Sequence, residues 1–323
     1  MDQLPSFGTS ISDIIGPTLK TYEPLLLHNA SQIHSLKKET HPYGPHSRQQ
    51  LDLYHCPNPT IINGRRAILI FLYGGGLIHG SKTLPGYAQD LCHANIASFF
   101  AEKFGYSTVV PDYRLVNQHD AKFPSGGEDV AVAVEWVVKN AERFGKEPVD
   151  LFVMGNSAGG VHLSTLLLHP DFVATRAKVL DEGHVRLRGT ILLSVPFHFR
   201  KALQNRQDVL ETYFGDHESK SPLGLLRSAR EAGGLDILQS KLRIFVLNGE
   251  LDPEDEIMKP RDDFVEEWMK IGSAESRMAL AVDFMRGQNH ISPFCSLGTG
   301  IEREEAWGHQ VGAFCTDIRR TTP

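Results

Sequence analysis

Val153-Met154-Gly155-Asn156-Ser157-Ala158-Gly159-Gly160 decides how this chain is read. Residues 149–154 before the first glycine form a short apolar run rich in β-branched and aromatic side chains, as in a buried strand. Residues 161–168 after it, Val-His-Leu-Ser-Thr-Leu-Leu-Leu, read as a buried helix. Gly-x-Ser-x-Gly is a common pattern by itself. Between a strand and a helix it becomes an elbow, a sharp turn that lifts a serine oxygen clear of a sheet. Gly155 and Gly159 let the strand and helix pass closely around a strained serine backbone. Ala158 follows the serine, so its N–H is placed to face a developing oxyanion. The plain alternative is a glycine-rich strand-to-helix turn with no chemistry.

Upstream, residues 67–72 are a continuous apolar run, the mark of a central strand buried on both faces. The run leads into Tyr73-Gly74-Gly75-Gly76. Three glycines at that point permit a backbone that turns its N–H groups into a cavity. Gly75 and Gly76 are therefore candidate oxyanion donors alongside Ala158. Residues 50–55 alternate and read as an edge strand. Residues 1–47 carry little strand signal, and the helical spacing over 11–27 is interrupted by Pro17 and Pro24. That segment is expected to be an N-terminal arm or lid.

Between the glycine loop and the elbow, a helix is expected over 86–104, a strand over 107–110, and a helix over 127–144. Beyond the elbow the strands are expected at 189–195, 243–247 and 278–284, with helices at 263–271 and 302–319. Strand and helix alternate throughout, which means a mostly parallel central sheet with helices on both faces. Residues 196–238 break the pattern, with Phe197, Phe199, Tyr213 and Phe214 set among charges. An insertion there lies over the C-terminal ends of the strands, where such sheets bind ligands, and reads as a cap that shapes a pocket. The domains expected are an arm over 1–47 and a catalytic domain over 48–323 that carries the cap.

A serine needs a base to take its proton. Of the fifteen histidines, His290 is best placed, in a loop just past the last strand. His309 lies in the terminal helix pattern, His162 in the elbow helix, and His184 has no strand before it. An acid must hold the imidazole in one tautomer and stabilise its cation. Asp252 follows the strand before that of His290, and Pro253 stiffens its turn, with Asp255 and Glu250 as alternatives.

Taken together, these segments resemble the α/β-hydrolase fold, in its hormone-sensitive-lipase-like esterase branch. The match is carried by 73–76, by Asp112-Tyr113-Arg114-Leu115 with Phe123-Pro124, by 155–160, and by Asp252-Pro253 with His290. The resemblance implies Ser157 as nucleophile, His290 as base and Asp252 as orienting acid. It also implies Gly75, Gly76 and Ala158 as the oxyanion hole, and no metal or organic cofactor. Two positions depart from the family. Tyr73 stands where a histidine is usual, and either supports the loop by a hydrogen bond or lines the pocket. Asn156 stands where an aspartate is frequent, and with Tyr73 it is a candidate substrate contact.

The implied activity is hydrolysis of a small or medium carboxylic ester. A lactone or thioester hydrolase, an arylformamidase, and a non-catalytic small-molecule receptor on the same fold remain as alternatives. Net charge is −6 with no long basic run, which argues against nucleic acid as a partner. No apolar stretch reaches membrane-spanning length, and no basic amphipathic face suggests stable membrane association. The four cysteines lack metal-ligand or Cys-x-x-Cys spacing, and no signal peptide is evident, so a cytosolic protein with reduced thiols is expected. Oligomeric state, a homodimer included, stays open.

Overall fold

The sheet grows from the strand that ends in the elbow. In a computed structural model, which describes residues 2–180, 183–233 and 235–321, this strand is Val149–Asn156, buried along its whole length. Among the described residues eight strands form one sheet: β1 (Lys38–Pro42), β2 (Gln50–Tyr54), β3 (Arg66–Leu72), β4 (Ser107–Pro111), β5 (Val149–Asn156), β6 (Val185–Leu193), β7 (Arg243–Gly249) and β8 (Leu280–Met285). Their order is β1-β2-β4-β3-β5-β6-β7-β8. β1 and β2 run antiparallel at one side, and from β4 onward the sheet is parallel.

The apolar runs serve both faces at once. Ile68, Ile70, Leu72, Leu151 and Val153 enter one core layer, while Leu69, Phe71, Phe152 and Met154 enter the other. Each such side chain, fully buried, contributes ~1.5–3 kcal/mol of transfer free energy. The longer helices cover both faces: α1 (Ile11–His28), α2 (Ala94–Phe104), α3 (Ser125–Lys139), α4 (Ala158–Leu168), α5 (Val173–Leu180), α6 (Gln207–Phe214), α7 (Pro222–Glu231), α8 (Lys259–Met269) and α9 (Glu302–Thr321). This is the α/β-hydrolase architecture that the sequence implied.

Four expectations are corrected. The stretch read as carrying little strand signal contains β1, whose polar residues Lys-Glu-Thr-His-Pro pair with β2 through the backbone and through Thr40 Oγ1, which donates to Asp52 Oδ1 at 2.6 Å. Charge and a proline suit an edge strand, and they hide it from a hydrophobic pattern. α1 is continuous through Pro17 and Pro24. The carbonyls those prolines leave without a partner belong to Asp13 and Lys20, both exposed, so water takes them. The helix read over 86–104 begins only at Ala94. β6 starts at Val185 and stops before Ser194, whose φ of 47° lies outside any strand.

Register decides what the fold can do. Leu72 pairs with Gly155, Asn156 with Leu193, Leu193 with Leu247, and Gly249 with Met285. The parallel strands β3, β5, β6, β7 and β8 therefore end together. The loops that follow them, carrying residues 73–76, 157, 194, 252 and 290, leave from one edge of the sheet.

Candidate active site

Ser157 sits between β5 and α4 with φ 49° and ψ −118°, a conformation L residues seldom adopt. Holding a residue there costs ~1–3 kcal/mol, so its surroundings must over-determine it. They do. The Ser157 N–H donates to the Leu193 carbonyl at 2.9 Å, and its own carbonyl accepts from Gly160 and Val161 at 2.9 and 3.1 Å. A Cβ on Gly155 would lie 2.7 Å from the backbone of Gly159 and Gly160, and one on Gly159 would strike the carbonyls of Leu72 and Tyr73. Only glycine lets β3, β5 and α4 approach this closely.

His290 stands in the loop after β8. Its neighbour Asn289 fixes that loop: the side-chain oxygen accepts from the N–H groups of Ile291 and Ser292, and the side-chain nitrogen donates to Thr18 Oγ1 at 2.9 Å. α1 thus braces the histidine loop from behind. The Leu251 N–H donates to the Gln288 carbonyl at 2.9 Å, which ties the acid and histidine loops to each other.

These loops bring three of the expected residues into one line. Ser157 Oγ lies 3.0 Å from His290 Nε2, and His290 Nδ1 lies 3.0 Å from Asp252 Oδ1. A carboxylate at Nδ1 keeps the ring proton on that nitrogen and leaves Nε2 to accept the serine proton. Asp252 and His290 are buried, and Ser157 is half-exposed, so the line runs from the interior to an accessible hydroxyl. The other Asp252 oxygen accepts from Ser194 Oγ at 2.6 Å, the Gly249 N–H at 2.8 Å and Asn248 Nδ2 at 3.4 Å.

The alternatives lie elsewhere. His162 is buried under Tyr113 and Tyr213, and burial pushes its pKa down to about 3, so it is held neutral away from any carboxylate. His309 packs its ring edge against Phe99 and Phe104. The His184 carbonyl accepts from Val149 at the opposite edge of the sheet. Asp255 pairs with Lys259 at 2.7 Å, and Glu250 with Arg286 at 3.0 Å.

Gly74, Gly75 and Gly76 form a half-exposed loop beside Ser157. A Cβ on Gly74 would stand 3.1 Å from that of Ser157. Gly75 and Gly76 have φ of 144° and 60°, and among the described residues neither N–H donates to a backbone carbonyl. Ala158 is the first residue of α4, so its N–H has no acceptor within the helix.

Tyr73 and Asn156, expected as substrate contacts, are both buried beneath this arrangement. Tyr73 is 1% exposed, donates to Asp112 Oδ1 at 2.8 Å and accepts from Arg48 Nη2 at 2.9 Å. Burial raises its pKa well above the usual phenol value, so it stays a neutral donor. Of the two roles open to it, the geometry favours support of the loop. Asn156 is 3% exposed and donates to the Leu193 carbonyl at 3.4 Å.

Two contributors have little sequence signal. Ser194, with its left-handed φ, looks like the end of a buried strand, yet its hydroxyl reaches Asp252. Arg206, in the stretch between β6 and β7, donates from Nη2 to the Gly76 carbonyl at 2.8 Å. The aromatic residues flagged in that stretch serve packing: Phe197 stacks on Phe264 at 4.2 Å, and Phe199, Tyr213 and Phe214 are buried among themselves.

The chain is similar to known proteins. The BD-FAE family model matches residues 51–176, a span that includes the glycine loop and Ser157 and stops short of Asp252 and His290. Esterase LipC of Mycobacterium tuberculosis is 34% identical over 125 residues, 38% of this chain and 28% of that protein. The chain's matches span less than a third of the length of the first curated relatives. An esterase of Pyrobaculum calidifontis superposes with a TM-score of 0.61 at 18% identity, over 93% of this chain and 91% of that one. Esterase B of Lactobacillus rhamnosis superposes with a TM-score of 0.65 at 12% identity, over 96% and 97%. Among the described residues no helix is long and apolar enough to cross a membrane. By sheet order, by the turn that carries Ser157 and by the likeness to these solved structures, the chain has the α/β-hydrolase fold.

Proposed function

We propose that the chain is a cytosolic serine hydrolase that cleaves a small or medium carboxylic ester through an acyl-enzyme. The observation that carries this is the hydrogen-bonded line from Asp252 through His290 to Ser157, 3.0 Å at each link. Ser157 Oγ attacks the ester carbonyl while His290 Nε2 takes its proton. Asp252 stabilises the resulting imidazolium, and the N–H groups of Gly75, Gly76 and Ala158 receive the oxyanion. Collapse expels the alkoxide, His290 returns the proton to it, and the acyl group stays on Ser157. A water then gives a proton to His290 and attacks the acyl carbonyl; collapse expels Ser157 Oγ, which takes that proton back from His290 Nε2, and the acid is released. Each proton passes through His290 Nε2, and no step calls for a cofactor. In the same reading residues 48–323 are the catalytic domain, 196–238 its cap, and 1–47 an arm that braces the histidine loop.

Ser157→Ala is expected to lower p-nitrophenyl butyrate hydrolysis by ~10⁶-fold, to near background, with an unchanged thermal melt. Full retained activity overturns the assignment. A panel of esters of rising chain length, a lactone, a thioester and an N-formyl arylamine separates the hydrolase chemistries. A receptor would leave a fluorophosphonate probe unattached.

A further inference from the structure

Arg206 ends the turn Gln204–Arg206, just ahead of α6, and reaches across to the glycine loop. Its guanidinium lies against Gly76 so closely that a Cβ on that residue would collide with Nη1. The side chain is half-buried. Other arginines of the same region are paired: Arg176 with Asp236 at 2.8 Å, Arg230 with Glu267 at 2.8 Å, and Arg200 with Glu218. Among the described residues no carboxylate lies within ion-pair distance of Arg206, and the Gly76 carbonyl is the one acceptor its side chain engages.

A guanidinium carries five N–H donors in a planar fork that fits a carboxylate with two parallel bonds. One donor of Arg206 goes to Gly76, and among the described residues the rest have no acceptor. Burial lowers its pKa from the ordinary arginine value, while Glu256, from the turn that follows Asp252, draws it partly back. A partly desolvated, unpaired cation beside the loop that is to hold the oxyanion gains most from an anion arriving with the substrate.

We propose that Arg206 is a specificity-determining residue that selects esters bearing a second carboxylate, a preference that rests on the hydrolase reading of this site. The carboxylate takes the free edge of the guanidinium while the ester carbonyl sits at Ser157. Glu256 opposes it by like charge.

The test compares matched pairs of substrates. Mono-p-nitrophenyl glutarate against p-nitrophenyl pentanoate probes the acyl side, and 4-butyryloxybenzoate against phenyl butyrate the alkoxy side. The wild-type protein is expected to favour the charged member of one pair by about 10- to 100-fold in kcat/KM. Arg206→Gln brings that ratio near one, Arg206→Lys restores part of it, and Glu256→Gln raises it. No preference in either pair, or a preference that survives Arg206→Gln, overturns the proposal. Glutarate binding to Ser157→Ala, read by calorimetry with and without Arg206→Gln, needs no turnover. Binding lost with Arg206→Gln in a protein that cleaves none of the esters would leave the anion site standing and remove the hydrolase reading. Binding indifferent to Arg206 would sink the anion site itself.

Discussion

Two buried aspartates stand at opposite edges of the sheet, and their surroundings differ in kind. Asp150, near the start of β5, meets Arg65 Nε at 2.8 Å, Arg319 Nε at 3.1 Å and Arg188 Nε at 4.0 Å. Arg319 also donates to the Arg65 carbonyl at 2.7 Å, so the acid fastens α9 to the base of the sheet. Asp252, past the end of β7, is held by a hydroxyl, a backbone N–H and an amide. Among the described residues its one ion-pairing neighbour is His290. Arginines at Asp150 consume the charge of the acid. In the proposed mechanism the neutral dipoles at Asp252 stabilise the carboxylate and leave its charge for an imidazolium that forms only during reaction. Both acids are buried, so what separates the proposed orienting acid from the structural one is the charge of their donors.

That contrast can be broken in three places. Asp252→Asn should lower kcat by ~10⁴-fold on a p-nitrophenyl ester, because the amide presents the wrong partner to Nδ1 and flips the tautomer. A loss under tenfold would mean that the acid does not orient the base. Asp150→Asn should act the other way round, costing ~3–5 kcal/mol in urea denaturation because it leaves buried guanidinium groups uncompensated. Its kcat per folded molecule should stay at the wild-type value, and a fall in kcat without a fall in stability would erase the distinction. Ser194→Ala removes one neutral donor from Asp252 and should lower kcat by about tenfold, as befits a single hydrogen bond to a charge. An unchanged kcat would show that Gly249 and Asn248 suffice.

Ser157, His290 and Asp252 were legible because each follows a strand, with Gly155 and Gly159 two positions either side of the serine, Gly287 three positions before the histidine and Pro253 next to the acid, signals that survive in one dimension. Other features depend on what lies opposite. Ser194 meets Asp252 because Leu193 pairs with Leu247, a register no local pattern reveals. Tyr73 is a support rather than a pocket wall because Asp112 comes from 39 residues away. β1 has a polar sequence and exists through its pairing with β2. α1 survives two prolines because the carbonyls they orphan face water, a matter of exposure and not of composition.

The proposed transfer of the Ser157 proton to His290 is tested most directly by the rate at which a fluorophosphonate attaches to the protein, with the adduct located by peptide mass spectrometry. The wild-type protein should carry the label on Ser157, and His290→Ala should slow attachment by ~10²–10⁴-fold, the usual contribution of a general base. Label on another residue, or attachment to His290→Ala at the wild-type rate, would contradict the account.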